Sequence, residues 1–125
     1  KTKERRCHAG FSLIAGGLAL AASVLFADSA GLSLLFFAIT AMGIYGGFGP
    51  YWSIPPSFLT GTAAAAAIAL INSTGNLGGF VGPYVVGYIK TATGSFYGGV
   101  IFLVGCLLAA GLLVLLLPTR KQQTE

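Results

Sequence analysis

Apolar side chains run along this chain in four long blocks, separated by short stretches where polar, proline and basic residues gather. A helix needs ~20 apolar residues, each rising about 1.5 Å, to cross a ~30 Å hydrocarbon core, and each block is close to that length or longer. The pattern predicts an all-α membrane protein with four transmembrane helices, over about 9–27, 31–56, 63–89 and 97–117. Buried strands would also be apolar, but helical length and the cost of open sheet edges in lipid argue against them. Between the blocks lie Asp28-Ser29, the segment IPPSFLTGT and the turn KTATGS. Asp28 or Ser29 is placed to accept from the exposed amides that open the second helix, and Thr60 or Thr62 from those of the third. Plain interfacial turn residues would look the same.

Composition sets the surroundings. Hydrophobic residues make up 55% of the chain and charged ones 8%, with 19 glycines, and the run from Ser29 to Ile89 holds no Asp, Glu, Lys, Arg or His. A water-soluble domain could not wet its surface with so little. With four spans, Lys1, Lys3, Arg5, Arg6, Arg120 and Lys121 fall on one side and only Lys90 on the other, which predicts both ends of the segment in the cytoplasm. The net charge of +4 is thus a topology signal, and no nucleic-acid partner is expected. A basic stretch before an apolar one also resembles a signal peptide. The full-length apolar run and the lack of a small-x-small site before Asp28 favour a start inside a larger protein. Cys7 and Cys106 form no metal-binding or redox motif, Cys106 is read as a small packing residue, and neither a metal nor a cofactor is expected.

Polarity is shared unequally among the helices. The first offers Ser12 and Ser23, and the fourth, between Val100 and Leu117, nothing more polar than Cys106, so both are expected to face lipid on most sides. The second carries Thr40, Tyr45, Tyr51, Trp52 and Ser53; the third carries Asn72, Ser73, Thr74, Asn76 and Tyr84. Unsatisfied polar groups cost ~2 to 7 kcal/mol in hydrocarbon, so these faces should turn to protein or water. Asn72 and Asn76, four apart, share one helix face. Gly75 with Gly79, Gly78 with Gly82, and Gly43 with Gly47 make small-xxx-small seams where another backbone can approach. Asparagines serving only as interhelical glue remain an equal reading.

Counted from a turn near Gly61, Trp52 and Asn72 each stand about ten residues away, or ~15 Å along a helix, near mid-membrane. If the second helix instead stops at Trp52, the indole is an interfacial anchor. Pro50, Pro55 and Pro56 bear on that choice, whereas Pro83 falls well inside the third helix and predicts a kink.

The string INSTGNLGGFVGPYVVGYIK, with YWSIPPSFLTGT before it and KTKERRCH at the start, resembles the last third of major facilitator transporters of the anion:cation symporter family, which includes tartrate and phthalate permeases and sugar-acid carriers. The resemblance implies helices nine to twelve of a twelve-helix carrier. Residues 1–8 would then end a cytoplasmic loop, 9–117 form part of the carboxyl-terminal bundle, and 118–125 a cytoplasmic tail in the inner (plasma) membrane. It further implies that Trp52 and Asn72 line the substrate cavity, with Tyr51, Ser53 and Asn76 beside them, in proton-coupled uptake of a small organic anion. The segment has no ionisable side chain at membrane depth, so the coupling proton would bind elsewhere. A small four-helix exporter and a non-transporting membrane subunit are the alternatives. An enzyme is not expected, because no nucleophile, base or metal set is present.

Overall fold

The computed structural model describes residues 5–57 and 59–117. These form four helices, α1 (Arg5–Leu25), α2 (Ala30–Trp52), α3 (Gly61–Thr93) and α4 (Tyr97–Leu116), with a 3-10 turn at Pro55–Ser57. All four are long and apolar enough to cross a membrane. Lys1, Lys3, Arg120 and Lys121, four of the charges that set the expected orientation, lie outside the described residues.

Several helix limits differ from the expected ones, each for a local reason. α1 begins at Arg5 rather than near Ala9, because its first residues find partners on the neighbouring helices. α2 ends at Trp52 instead of continuing to residue 56. There Ser53 N–H turns back to the Pro50 carbonyl (3.3 Å) and Ile54 N–H to the Tyr51 carbonyl (3.0 Å). Pro55 and Pro56 have no N–H with which to carry the ladder on. Trp52 therefore closes a helix, and the expectation that it stands ten helical residues from the turn does not hold.

α3 runs past Ile89 to Thr93 and stops where Gly94 adopts a left-handed φ of 74° and donates its N–H to the Lys90 carbonyl at 2.8 Å. Ser29 and Thr60 occupy the N-cap positions of α2 and α3, but neither side chain bonds an exposed amide. Pro83 sits within α3, which continues through it, although the ring removes the donor that the Gly79 carbonyl would otherwise accept.

α1 is the centre of the bundle. It packs against α2 on one side and α4 on the other, and α3 joins α4. This reverses the expectation that the first helix mostly faces lipid: Ala9, Gly10, Gly16, Gly17, Ala19, Leu20 and Ser23 are all buried. Small side chains are the cause. A Cβ added to Gly43 would lie 2.7 Å from the Ser12 carbonyl oxygen and 2.8 Å from Gly16 Cα, and one added to Gly47 would lie 3.3 Å from the Ala9 carbonyl oxygen. On the other face, a Cβ on Gly111 would stand 3.0 Å from the Gly10 carbonyl oxygen. The buried Thr40 hydroxyl spans the first seam, lying 3.1 Å from the Gly16 carbonyl oxygen and 2.9 Å from that of Phe36.

α3 differs from the rest in having no buried residue. It meets α4 near the connecting turn, where Val86 and Ile89 lie against Gly99 and Gly98, and it touches the 3-10 turn near its start. The Lys90 ammonium sits 4.1 Å from the Phe96 ring centre, fixing the connection by a cation–π contact. Gly75, Gly78, Gly79 and Gly82, expected to form seams, have nothing within 4 Å of an added Cβ. Among the described residues no helix lies along that face. Cys106, expected to be a packing residue, is exposed.

The α1–α2 seam yields an ordering. Gly43→Ala pushes a methyl into backbone at 2.7 Å, whereas Gly16→Ala meets its nearest atom, the Thr40 carbonyl oxygen, at 3.2 Å. Gly43→Ala should cost ~1–3 kcal/mol and Gly16→Ala less, read as thermal midpoints of the complete protein in detergent. Equal midpoints for both variants and the parent would mean that the helices can part at no cost.

Candidate functional site: an open groove between the end of α2 and the start of α3

The divergence of α3 leaves an open groove of about 700 Å³ lined by Trp52, Ala65, Ile68, Ala69 and Asn72. The α3 contributors recur at three- and four-residue spacing, so they form one stripe of that helix. At ~1.5 Å per residue, Asn72 stands ~16 Å along α3 from Gly61, and the stripe leads from the helix start down to it. The alanines keep the wall low, and Ile68 makes it apolar. The polar ends are the Trp52 indole N–H and the Asn72 carboxamide. Neither makes a hydrogen bond to another described residue.

An aromatic array holds the α2 wall. Tyr51 meets Trp52 edge-on with ring centres 5.5 Å apart, and Phe48 meets it edge-on at 6.4 Å, with Tyr45 continuing the row at 5.9 Å from Phe48. Edge-to-face packing of this kind restricts the indole plane. Phe48, half a turn-pair back along α2, was not among the expected site residues; its i, i+4 spacing from Trp52 is the signal that could have found it.

The other expected residues separate. Tyr51 supports Trp52 but does not line the groove. Ser53 is half-buried, and its hydroxyl donates to the Pro50 carbonyl at 2.6 Å, while its own carbonyl accepts from Arg5 Nη1 at 3.1 Å. Asn76, one turn beyond Asn72, is exposed outside the groove. Thr74 turns its hydroxyl onto the Leu70 and Ile71 carbonyls, both at 2.9 Å. Exposure does not single out Asn72, since most of α3 is exposed. Its place at the end of the apolar stripe does. Among the described residues no group of three or more His, Cys, Asp or Glu side chains could hold a metal.

Four helices long and apolar enough to cross a membrane, with a neutral groove between two of them, describe a segment of a multi-pass membrane protein. Known proteins agree. A protein named a tartrate transporter from Agrobacterium vitis is 49% identical over 119 residues, covering 94% of this chain and 26% of its own length. The metabolite transport protein NicT of Pseudomonas putida is 35% identical over 118 residues, again covering 94% of this chain and 27% of that protein. A quinolone resistance transporter of Acinetobacter baumannii is 39% identical over 103 residues, 82% of this chain and 24% of its own. No protein-family model and no solved structure matches the chain. The chain spans about a quarter of the length of these relatives. Over most of its length the chain is similar to one segment of these transporters, in agreement with the major facilitator resemblance of its INSTGNLGGFVGPYVVG motif.

The geometry at Ser53 gives a clear expectation. A carboxylate or hydroxyl-rich ligand needs donors, and the one hydrogen of Ser53 is already given to Pro50. Ser53→Ala in the complete transporter should change the half-saturating concentration by less than about twofold, since no ligand bond is lost. A tenfold rise would place the hydroxyl on the ligand instead.

Proposed function

We propose that this segment forms one wall of the substrate cavity of a secondary active transporter, and that the groove between Trp52 and Asn72 binds a small organic anion. The observation that carries the reading is the pairing in one groove of two neutral donors that bond no other described residue. The names of the relatives, tartrate and metabolite transporters among them, support the substrate class. Oxygens of a tartrate, a sugar acid or an aromatic carboxylate accept from the Asn72 amide and the indole N–H. The Ile68 side and the Phe48–Trp52–Tyr51 array give the carbon skeleton an apolar bed.

The groove has no charge to neutralise a carboxylate. α2 carries no ionisable residue beyond tyrosine, and the only charged one on α3 is Lys90, in its last turn. The pairing cation and the coupling proton are therefore handled by parts of the carrier other than α2 and α3. The segment supplies orientation and neutral hydrogen bonds, and α3, joined to its bundle mainly at one end, is the element able to move during alternating access. The positive-inside count supports a reading in which the segment's two ends lie in the cytoplasm and the carrier spans the inner membrane. A second reading, efflux in place of uptake, is favoured by the relative named for quinolone resistance. Transport into cells, compared with transport into inverted vesicles, separates the two.

Uptake by the complete transporter of labelled tartrate, phthalate and aldonates tests the site. Asn72→Ala and Trp52→Phe each remove one donor worth ~1 kcal/mol, so each should raise the half-saturating concentration about fivefold with the amount in the membrane unchanged. Unaltered kinetics in both variants would reduce the groove to a gap between helices.

A further inference from the structure

We propose that Arg5 is a positioning residue for the groove: its guanidinium replaces a backbone donor that the double proline deletes, and so holds the α2 end on which Trp52 stands. This rests on the groove reading above. The observation is a gap in an otherwise regular series. After Trp52 the backbone continues by bonds to the residue three back: Ser53 N–H to Pro50, Ile54 N–H to Tyr51 and, beyond the gap, Ser57 N–H to Ile54 at 3.0 Å. The bonds missing from the series are those of Pro55 and Pro56, which would have been made to the carbonyls of Trp52 and Ser53.

Arg5 Nη1 donates to one of those two, the Ser53 carbonyl, at 3.1 Å, across 48 residues of sequence. A cation at a helix carboxyl terminus also complements the partial negative charge of its free carbonyls. Pinning Ser53 pins the residue before it, and the Trp52 ring then has one wall position against Tyr51 and Phe48.

The adjacent Arg6 supplies an internal contrast. Its Nη1 donates to the Leu117 carbonyl at 2.6 Å and contacts that of Leu115 at 3.5 Å, so it ties the end of α4. No residue of α4 lines the groove. Both arginines close a helix end, and only one of those ends carries a groove residue.

The test measures uptake of labelled tartrate by the complete transporter, with half-saturation and maximal rate resolved. Arg5→Ala should raise the half-saturating concentration about fivefold while the maximal rate per molecule in the membrane stays within about twofold, the loss of one charge-assisted bond. Arg6→Ala should leave half-saturation at the parent value. Adding Pro56→Ala to Arg5→Ala returns an amide N–H within reach of the Ser53 carbonyl and should restore both half-saturation and, if Arg5→Ala alone accumulates poorly, the folded amount. An unchanged value in Arg5→Ala, an equal rise in Arg6→Ala, or no recovery in the double variant overturns the proposal. A ligand-free measurement stands beside it. Alkylation of Ala69→Cys by N-ethylmaleimide, followed on the peptide carrying position 69, should speed up when Arg5→Ala frees the opposite wall, and an unchanged rate counts against the positioning role. If Asn72→Ala leaves uptake unaltered, the groove reading itself fails; if it weakens uptake and Arg5→Ala does not, only the role of Arg5 falls.

Discussion

Backbone-to-backbone approach along α1 is the constraint on which the rest of this segment depends. Lipid tails are as apolar as leucine, so helices in a bilayer gain little from hydrophobic burial against each other and associate through close packing. α1 achieves it on two faces at once, with Gly16 and Ala9 toward Gly43 and Gly47 of α2, and Gly10 toward Gly111 of α4. No side chain could be added at Gly43 without moving a main chain. The two arginines at the start of the same helix then bond the carbonyls just beyond the ends of both neighbours, Ser53 after α2 and Leu117 after α4.

With α2 and α4 both committed to α1, α3 is left to the margin. It is anchored at the α4 turn by Val86, Ile89 and the Lys90–Phe96 contact, touches the 3-10 turn near its start, and between these points stands apart. The groove exists because of that separation, and its contents follow from the stripe of alanines that faces Trp52. Asn72 differs from Asn76 only in lying one turn nearer the α2 end, yet that turn decides which carboxamide borders the groove. A donor pair that bonds no other described residue is suited to a ligand that brings acceptors.

Much of the layout was legible in the sequence because apolar length and helix rise leave few options in a bilayer. The four spans could be read from spacing, whereas the ten-residue count that set Trp52 level with Asn72 fails because α2 ends at Trp52. The role of α1 could not, because polarity does not register side-chain size: Gly10, Gly16 and Gly17 add nothing polar to the span yet leave room for two neighbours. The end of α2 was misjudged for a related reason. Pro50 is tolerated inside the last turn while Pro55 and Pro56 end it, and only the backbone donors of Ser53 and Ile54 distinguish the cases. The glycines of α3 advertise a seam whose second half is not found among the described residues. Asn76 and Ser53 are expected beside the cavity through the family resemblance; Asn76 stands one turn beyond the groove lining, and the Ser53 hydroxyl donates to the Pro50 carbonyl.

The length of α3 has its own consequence. Its 33 residues extend for about 50 Å, against ~30 Å of hydrocarbon. A rod that much longer than the layer it crosses must slant through it or stand proud of its surface. The start of this rod carries Ala65 and Ile68 of the groove wall, so the slant a bilayer imposes on α3 bears directly on the tilt of that wall.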